Sequence, residues 1–428
     1  MQAGQIPPAW AWVDPSVWTP RMLTALDAGV QGGVWFSLID KVYAPRTLEA
    51  AWTKVRANHG AAGVDHVTIA QFDTHKDRHL TQLSTQLRDG TYRPQAVRRV
   101  FIEKPGSRDR RPLGIPTVRD RVVQAALRLV LEPIFERDFA AHSYGFRPNR
   151  GCKDALRRVQ TLLDTGATWV VDADFQHFFD EIPHAALRAR VQAKVADGRV
   201  LTLLDAFLAQ AVLGTAAAWT PEAGTPQGAV ISPLLSNIYL DPLDHHLAEH
   251  DIEMVRYADD LVLLCRTEAA AHAALATLTA WTTAAGLRLH PDKTRLVDAT
   301  QPGGFDFLGY HFERGYRWPR TKSLRHVKDA IRAATPRTDG QSVAVIIATV
   351  NTRARGWYGY FRHSHWTTFA PLDAWIRMRL RSILRHRLHR EGRGRGRDHI
   401  RWPNTFFTTA GLFSLVAAHA VDRESSCR

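Results

Sequence analysis

Asp259 and Asp260 stand side by side between two apolar runs, Met254-Val255 before them and Leu261-Val262-Leu263-Leu264 after. Asp is a turn former and the flanks are rich in strand-forming side chains, so the stretch predicts a β-hairpin with both acids at its tip. Adjacent carboxylates repel one another, and a cation relieves the repulsion. Oxygen donors without Cys or His suit Mg²⁺ or Mn²⁺. Taken alone, the pair reads first as a solvated turn, and only its context favours a metal site. A second apolar stretch, Trp169-Val170-Val171, runs into Asp172 and Asp174. Strand periodicity puts these acids on one face, which is unfavourable unless a cation or basic group intervenes or the strand end is solvated. If this strand lies beside the hairpin, carboxylates from two strands meet at one point. That arrangement makes a two-metal phosphoryl-transfer centre, in which ions about 3.5 to 4 Å apart activate the attacking hydroxyl and stabilise the leaving oxygen.

The surrounding chain supplies elements to hold such a centre. Residues 1–45 carry Trp10, Trp12, Trp18 and Trp35 among prolines; they read as an apolar extension packed on the body or as a nucleic-acid stacking surface. Helical spacing follows from Leu48 to Val55 and from Asp77 to Leu87, then a short strand at Val97–Ile102. The turn beyond it is crowded by Lys104, Arg108, Arg110 and Arg111, as a solvated basic loop or as a clamp on triphosphate oxygens. Helices are expected over Asp120–Arg137, Val200–Val212 and Ala269–Leu287. The loop Gly224-Thr225-Pro226-Gln227-Gly228 precedes an apolar helix whose N-terminus could face a phosphate or base. Phe305–Tyr310 predicts a further strand and turn.

Beyond Glu313 the chain turns strongly basic. Trp357, Tyr358 and Phe361 have the spacing of a packed helix face. From Trp375 to Arg390, Ile376, Leu380, Ile383, Leu384 and Leu388 form an apolar stripe, while Arg377, Arg379, Arg381, Arg385 and Arg387 occupy the remaining surface. Such a face is merely solvated or binds the phosphates of RNA or DNA.

Composition limits the classes. The 428 residues, 45% apolar and 23% charged, suit a multidomain soluble protein. The excess of 56 Lys and Arg over 42 Asp and Glu, +14 in all, points to a polyphosphate partner. The longest apolar run, near Val343 to Val350, falls far short of the ~20 residues of a membrane span, and no signal-peptide pattern opens the chain. Cys152, Cys265 and Cys427 show no zinc spacing, and His363 with His365 and His386 with His389 lack ligand companions. A reduced cytoplasmic protein without structural zinc or membrane attachment is expected.

One ordered set of motifs goes further: Gly63-Val64-Asp65, Arg111 to Pro116, Ser143 to Pro148, Val171 to Asp180, Gly224 to Leu235, Tyr257 to Asp260, Phe305 to Gly309 and Gly356 to Arg362. From about Leu38 onward the chain resembles the reverse transcriptases encoded by bacterial group II introns, which also act as splicing maturases. The resemblance implies an α+β right-hand polymerase: fingers at 46–165, a palm with an antiparallel sheet at 166–312, a helical thumb merged with the maturase region at 313–402, and a tail at 403–428. Asp174, Asp259 and Asp260 match the catalytic metal-binding acids, with Phe175 counted in the metal set. Phe179 matches the bulky residue that rejects a ribose 2′-OH. Lys104 and Arg111 resemble the triphosphate-holding finger residues, and Gln227 the glutamine of the nucleotide pocket. Phe307, Leu308 and Gly309 resemble the primer grip, Lys293 a general acid for pyrophosphate, and Arg377, Arg379, Arg381 and Arg385 a nucleic-acid contact.

The implied cofactor is a pair of Mg²⁺ ions, with Mn²⁺ an alternative. The implied partners are an RNA template such as intron RNA, a DNA primer or target, and dNTPs. The chain departs from the family at Ala229, where a second Gly is common, and at Gln176-His177, which replaces a commoner Lys-Gly. It also ends without the Cys- and His-bearing endonuclease region of some relatives, so second-strand cleavage is not expected. Two other readings stay open: an RNA-binding maturase without essential polymerase chemistry, and a polymerase freed from its intron for host defence or repair.

Overall fold

The computed structural model describes residues 6, 8–30, 33–103, 110–213, 218–225, 228–338 and 340–426. They form two compact units, Met1–Leu296 and Val297–Arg428.

In the first unit, β1 (Val97–Glu103) and β2 (Arg110–Ile115) make an antiparallel hairpin from Arg98↔Ile115 to Glu103↔Arg110. β3 is Trp169–Ala173, and the short β4 (Val212–Leu213) and β5 (Ala218–Trp219) extend the first hairpin into a sheet of order β2-β1-β4-β5. β6 (Glu253–Tyr257) and β7 (Asp260–Cys265) form the acid-bearing hairpin. With β8 (Arg295–Asp298), at the division between the units, they make a second sheet of order β6-β7-β3-β8. β7 lies inside this sheet and Leu261 through Cys265 are all buried. A strand covered on both faces reads as a continuous apolar run, and this one does.

The helix Glu268–Ala284 packs on β3 and β7, while Ser232–Glu249 and Cys152–Asp164 pack on β6. The helix Val118–Glu136 runs through the core with even its polar Asp120 and Gln124 buried. Asp120 accepts bonds from Tyr92 Oη at 2.5 Å and Gln95 N at 2.9 Å, which lets a carboxylate stay there. The tryptophan-rich start is packed on the body: Trp18 is fully buried and its Nε1 donates to the Leu129 carbonyl at 3.1 Å. Val212, expected at a helix end, is instead in a strand. The helix Gly198–Leu208 has stopped by then, and the chain pairs in parallel with β1 through Val97↔Val212.

The second unit opens on a meander of β9 (Phe305–Phe307), β10 (Tyr310–Glu313) and β11 (Tyr316–Pro319), in the order β11-β10-β9. The helices Thr321–Ala333, Val343–Phe361, Phe369–His386 and Leu415–Ser426 follow. They enclose a core that includes Ile331, Val350, Tyr358, Ile376 and Phe407.

Candidate active site

The β6–β7 register closes on Tyr257↔Asp260, leaving Ala258 and Asp259 as a two-residue turn. Asp259 therefore sits in the turn, and Asp260 is the first residue of β7 rather than part of the tip. Ala258 has φ of 60°, a left-handed conformation that costs an L-residue roughly 1–2 kcal/mol. Its surroundings hold it there. Arg256, wholly buried, donates from Nη1 to the Ala258 carbonyl at 2.9 Å and to Asn237 Oδ1 at 3.0 Å, and from Nε to Asp244 Oδ1 at 2.7 Å. Burial pushes the Asp244 carboxyl up against the opposing pull of Arg256. On the outer side, Gly145 presses on the turn: a Cβ there would lie 2.2 Å from Ala258 N and 2.8 Å from the Tyr257 carbonyl carbon. Asn237 Nδ2 completes the frame with a bond to the Gly145 carbonyl at 2.9 Å.

β3 runs antiparallel to β7 with Asp172↔Val262 and Ala173↔Leu261. One residue further, Asp174 is level with Asp260. Asp174 lies just past the strand, where the segment 288–294 straps it down: His290 N donates to the Asp174 carbonyl at 2.7 Å and Gln176 N to the Arg288 carbonyl at 2.8 Å. The two acids on this face do not share one cation. Lys293 Nζ is 2.8 Å from Asp174 Oδ2, and Arg295 Nη2 is 2.8 Å from Asp172 Oδ2.

A cleft of about 860 Å³ is lined by Asp174 and Asp259 together with Arg99, Arg110, Phe179 and Lys293. An adjoining cavity of about 420 Å³ shares Arg99, Phe179 and Asp180 with it. Asp260 is exposed and outside the cleft lining. Phe179 is fixed through its backbone, since its carbonyl accepts from Thr225 N at 2.7 Å and a Cβ on Gly224 would come within 2.6 Å of that same oxygen. His177, in the place of a commoner Gly, has φ of 47°, which Gly adopts at far less cost.

Among the described residues no group of three His, Cys, Asp or Glu side chains is gathered to hold a metal ion. The chemistry of the cleft nevertheless fits a hard cation. Its acids offer only oxygen donors, and an ammonium already lies against one of them. Phe175 is buried and its ring has no donor atom, so its side chain cannot serve as a ligand; only its main-chain carbonyl could.

Lys104, Gln227 and the side chain of Arg111 lie outside the described residues. In the second unit, Phe307↔Tyr310 closes a hairpin over Leu308 at φ 46° and Gly309 at φ 84°. Two left-handed residues in a two-residue turn match the twist of the flanking strands. Tyr360 Oη holds the turn with a bond to the Leu308 carbonyl at 2.7 Å.

The four arginines expected to face nucleic acid are largely engaged within the chain. Arg381, expected on the outer face, is instead buried, donating from Nε to the Trp402 carbonyl at 2.9 Å and from Nη2 to Asn404 Oδ1 at 2.8 Å. Arg385 pairs with Asp398 at 2.7 Å, Arg379 donates to Thr335 Oγ1 at 3.2 Å, and Arg377 lies 4.0 Å from Asp373. Sequence reasoning also missed Arg256, Asp244, Asn237 and Gly145. The available signal was an arginine directly after the apolar Met254-Val255 in a strand, which requires a buried partner.

The description "Reverse transcriptase (RNA-dependent DNA polymerase)" matches residues 102–312, and "Group II intron, maturase-specific domain" matches residues 324–402. The group II intron-encoded protein LtrA of Lactococcus lactis subsp. cremoris is 36% identical over 220 residues, 51% of this chain and 36% of LtrA. The chain thus spans well under two thirds of that relative. Protein YkfC of Escherichia coli (strain K12) is 32% identical over 346 residues, 71% of this chain and 86% of YkfC. Among solved structures, a chain of a partial Cas6-RT-Cas1–Cas2 complex aligns at 24% identity over 58% of this chain and 42% of that one, with a TM-score of 0.38.

Proposed function

We propose that this chain, which belongs to the family of group II intron-encoded reverse transcriptases and maturases, is an RNA-directed DNA polymerase that extends a primer 3′-OH with dNTPs and also binds intron RNA as a maturase. One observation carries the reading: the cleft of about 860 Å³ joins Asp174 and Asp259, from the ends of neighbouring strands, to Lys293 and the bulky Phe179. Its volume is that of a small-molecule site.

Reverse transcriptases work with divalent metal ions. Here Asp174, Asp259 and Asp260, with the Phe175 carbonyl, would hold two Mg²⁺ or Mn²⁺ ions, whose chemistry is Lewis acidity at the attacking and leaving oxygens. The rest falls to the chain's own groups. Arg99 and Arg110 line the cleft and supply positive charge toward a triphosphate, with Lys104 between them and Arg111 beside Arg110 in sequence. Phe179, clamped by the Gly224-Thr225 backbone, presents a rigid wall against a ribose 2′-OH. Lys293 Nζ carries protons at the cleft and can give one to departing pyrophosphate. Its ion pair with Asp174 holds that carboxylate in place.

The test is extension of a DNA primer on an RNA template with Mg²⁺ and dNTPs, with wild type beside Asp259→Ala. Wild type should synthesise DNA, and the variant should lose at least about a hundredfold, the scale of removing one transition-state electrostatic contact. The RNA-binding maturase without polymerase chemistry draws support from one fact: Asp174 already has a cationic partner in Lys293. It predicts tight RNA binding with no synthesis by either protein, and that result would displace the polymerase reading.

A further inference from the structure

Two large aromatic side chains of the second unit are left in solvent although the fold fixes them. Trp366 is 60% exposed and Tyr316 is 55% exposed. They are not scattered. His365 is the hub, its ring centroid 4.8 Å from Tyr316, 5.4 Å from Trp318 and 5.5 Å from Trp366. Hydrogen bonds rather than burial hold the group. His365 N donates to the Arg317 carbonyl at 2.7 Å, and Arg317 Nε donates back to the His363 carbonyl at 2.9 Å, which zips the turn 363–368 to β11. His365 Nδ1 bonds Thr367 Oγ1 at 2.8 Å, setting the ring's angle. Exposed Arg314 and Arg362 flank the rings in sequence.

Rings held rigid and facing water, with arginines close by in sequence, are the parts of a base-stacking site. Every nucleobase offers a π-face to such rings, while arginine attracts the phosphates on either side. A protein partner would ask for a broad apolar patch, whereas this cluster is a few rings with exposed arginines beside them in sequence and one acid, Glu313, opposite Tyr316 in the hairpin. We propose that Tyr316, His365 and Trp366 form a stacking platform for an unpaired base of single-stranded RNA; this rests on the reading that the chain binds RNA and adds where one base is held.

The full chain is titrated into a fluorescein-labelled oligouridylate of about 12 nucleotides, and anisotropy is followed at several salt concentrations. Trp366→Ala and Tyr316→Ala should each weaken binding about tenfold, within the range measured for loss of one stacked base. Trp366→Phe, which keeps a ring, should retain most of the affinity and guards against a folding artefact. The slope of log affinity against log salt should stay unchanged in Trp366→Ala and fall by about one in Arg362→Gln. Wild-type affinity in both alanine variants would overturn the platform, as would an equal loss on a blunt RNA duplex or no rescue by Trp366→Phe. Failure of the polymerase reading looks different: wild type would bind the oligonucleotide yet extend no primer. A wild type that does not bind it would overturn the platform together with RNA binding.

Discussion

The residue on which the acid-bearing turn depends is Arg256. It and Asp244 form an ion pair with side chains 1% and 0% exposed, and the same guanidinium reaches the Ala258 carbonyl. Removing one member of a buried pair costs about 3–5 kcal/mol, mostly because the other charge is stranded. Arg256→Met should therefore lower the urea midpoint by that equivalent. Asp244, already pushed up by burial, should then take up a proton instead of standing as a bare charge. Replacing both, as Arg256→Met with Asp244→Leu, should return most of the stability, since apolar residues of similar volume often substitute for a buried pair at little cost. Primer extension should stay low in the double variant, because nothing then holds the Ala258 carbonyl. Recovery of both stability and extension would show that the pair only stabilises the fold.

At the scale of elements, the turn is pressed from outside by the loop at Gly145. No side chain fits there: a Cβ would overlap the backbone of Ala258 at 2.2 Å. Gly145→Ala should push the β6–β7 turn outward and displace Asp259 from the cleft, lowering extension by about a hundredfold, as misplacement of catalytic groups by about 1 Å does. RNA binding by the second unit's surface is the control, and equal loss of both would mean general misfolding. Periodicity made these elements legible. The apolar runs on either side of Asp259-Asp260 and before Asp172 read as strands, and strands they are. It could not show what lies between elements. Asp172 and Asp174 were expected to need a cation, a basic group or solvent, and each has a basic partner, but Lys293 and Arg295 come from a segment about 120 residues away that spacing could not name. The arginines of the Phe369–His386 helix were expected to face outward. Arg379 and Arg381 instead donate to carbonyls at the ends of neighbouring helices, at Arg332 and Trp402. Helix ends leave carbonyls without partners, and which arginine satisfies them depends on packing, not spacing.

At the scale of the whole molecule, this internal use of arginine does not diminish its field. A guanidinium bonded to a carbonyl keeps its full charge, because only a carboxylate cancels it and arginine does not deprotonate in proteins. Arg379 and Arg381 thus still contribute to the net charge of +14 while their guanidinium groups are bonded to carbonyls within the chain. The charge should therefore act in two separable ways. Long-range attraction from the whole excess raises the association rate, and its effect falls as salt shortens the Debye length from about 10 Å at 0.1 M. Direct phosphate contacts release counterions and set the equilibrium slope. Contact with 6 to 10 phosphates should cost roughly 10³- to 10⁵-fold in affinity between 50 and 200 mM salt. Stopped-flow binding of a template–primer duplex across that range separates the two. Arg381→Gln removes one distant charge and no phosphate contact, so it should lower the association rate slightly and leave the equilibrium slope alone. Arg381→Gln changing the slope by about one would place that guanidinium on a phosphate, against its burial. A salt response that is flat for the wild type would remove nucleic acid as the reason for the charge.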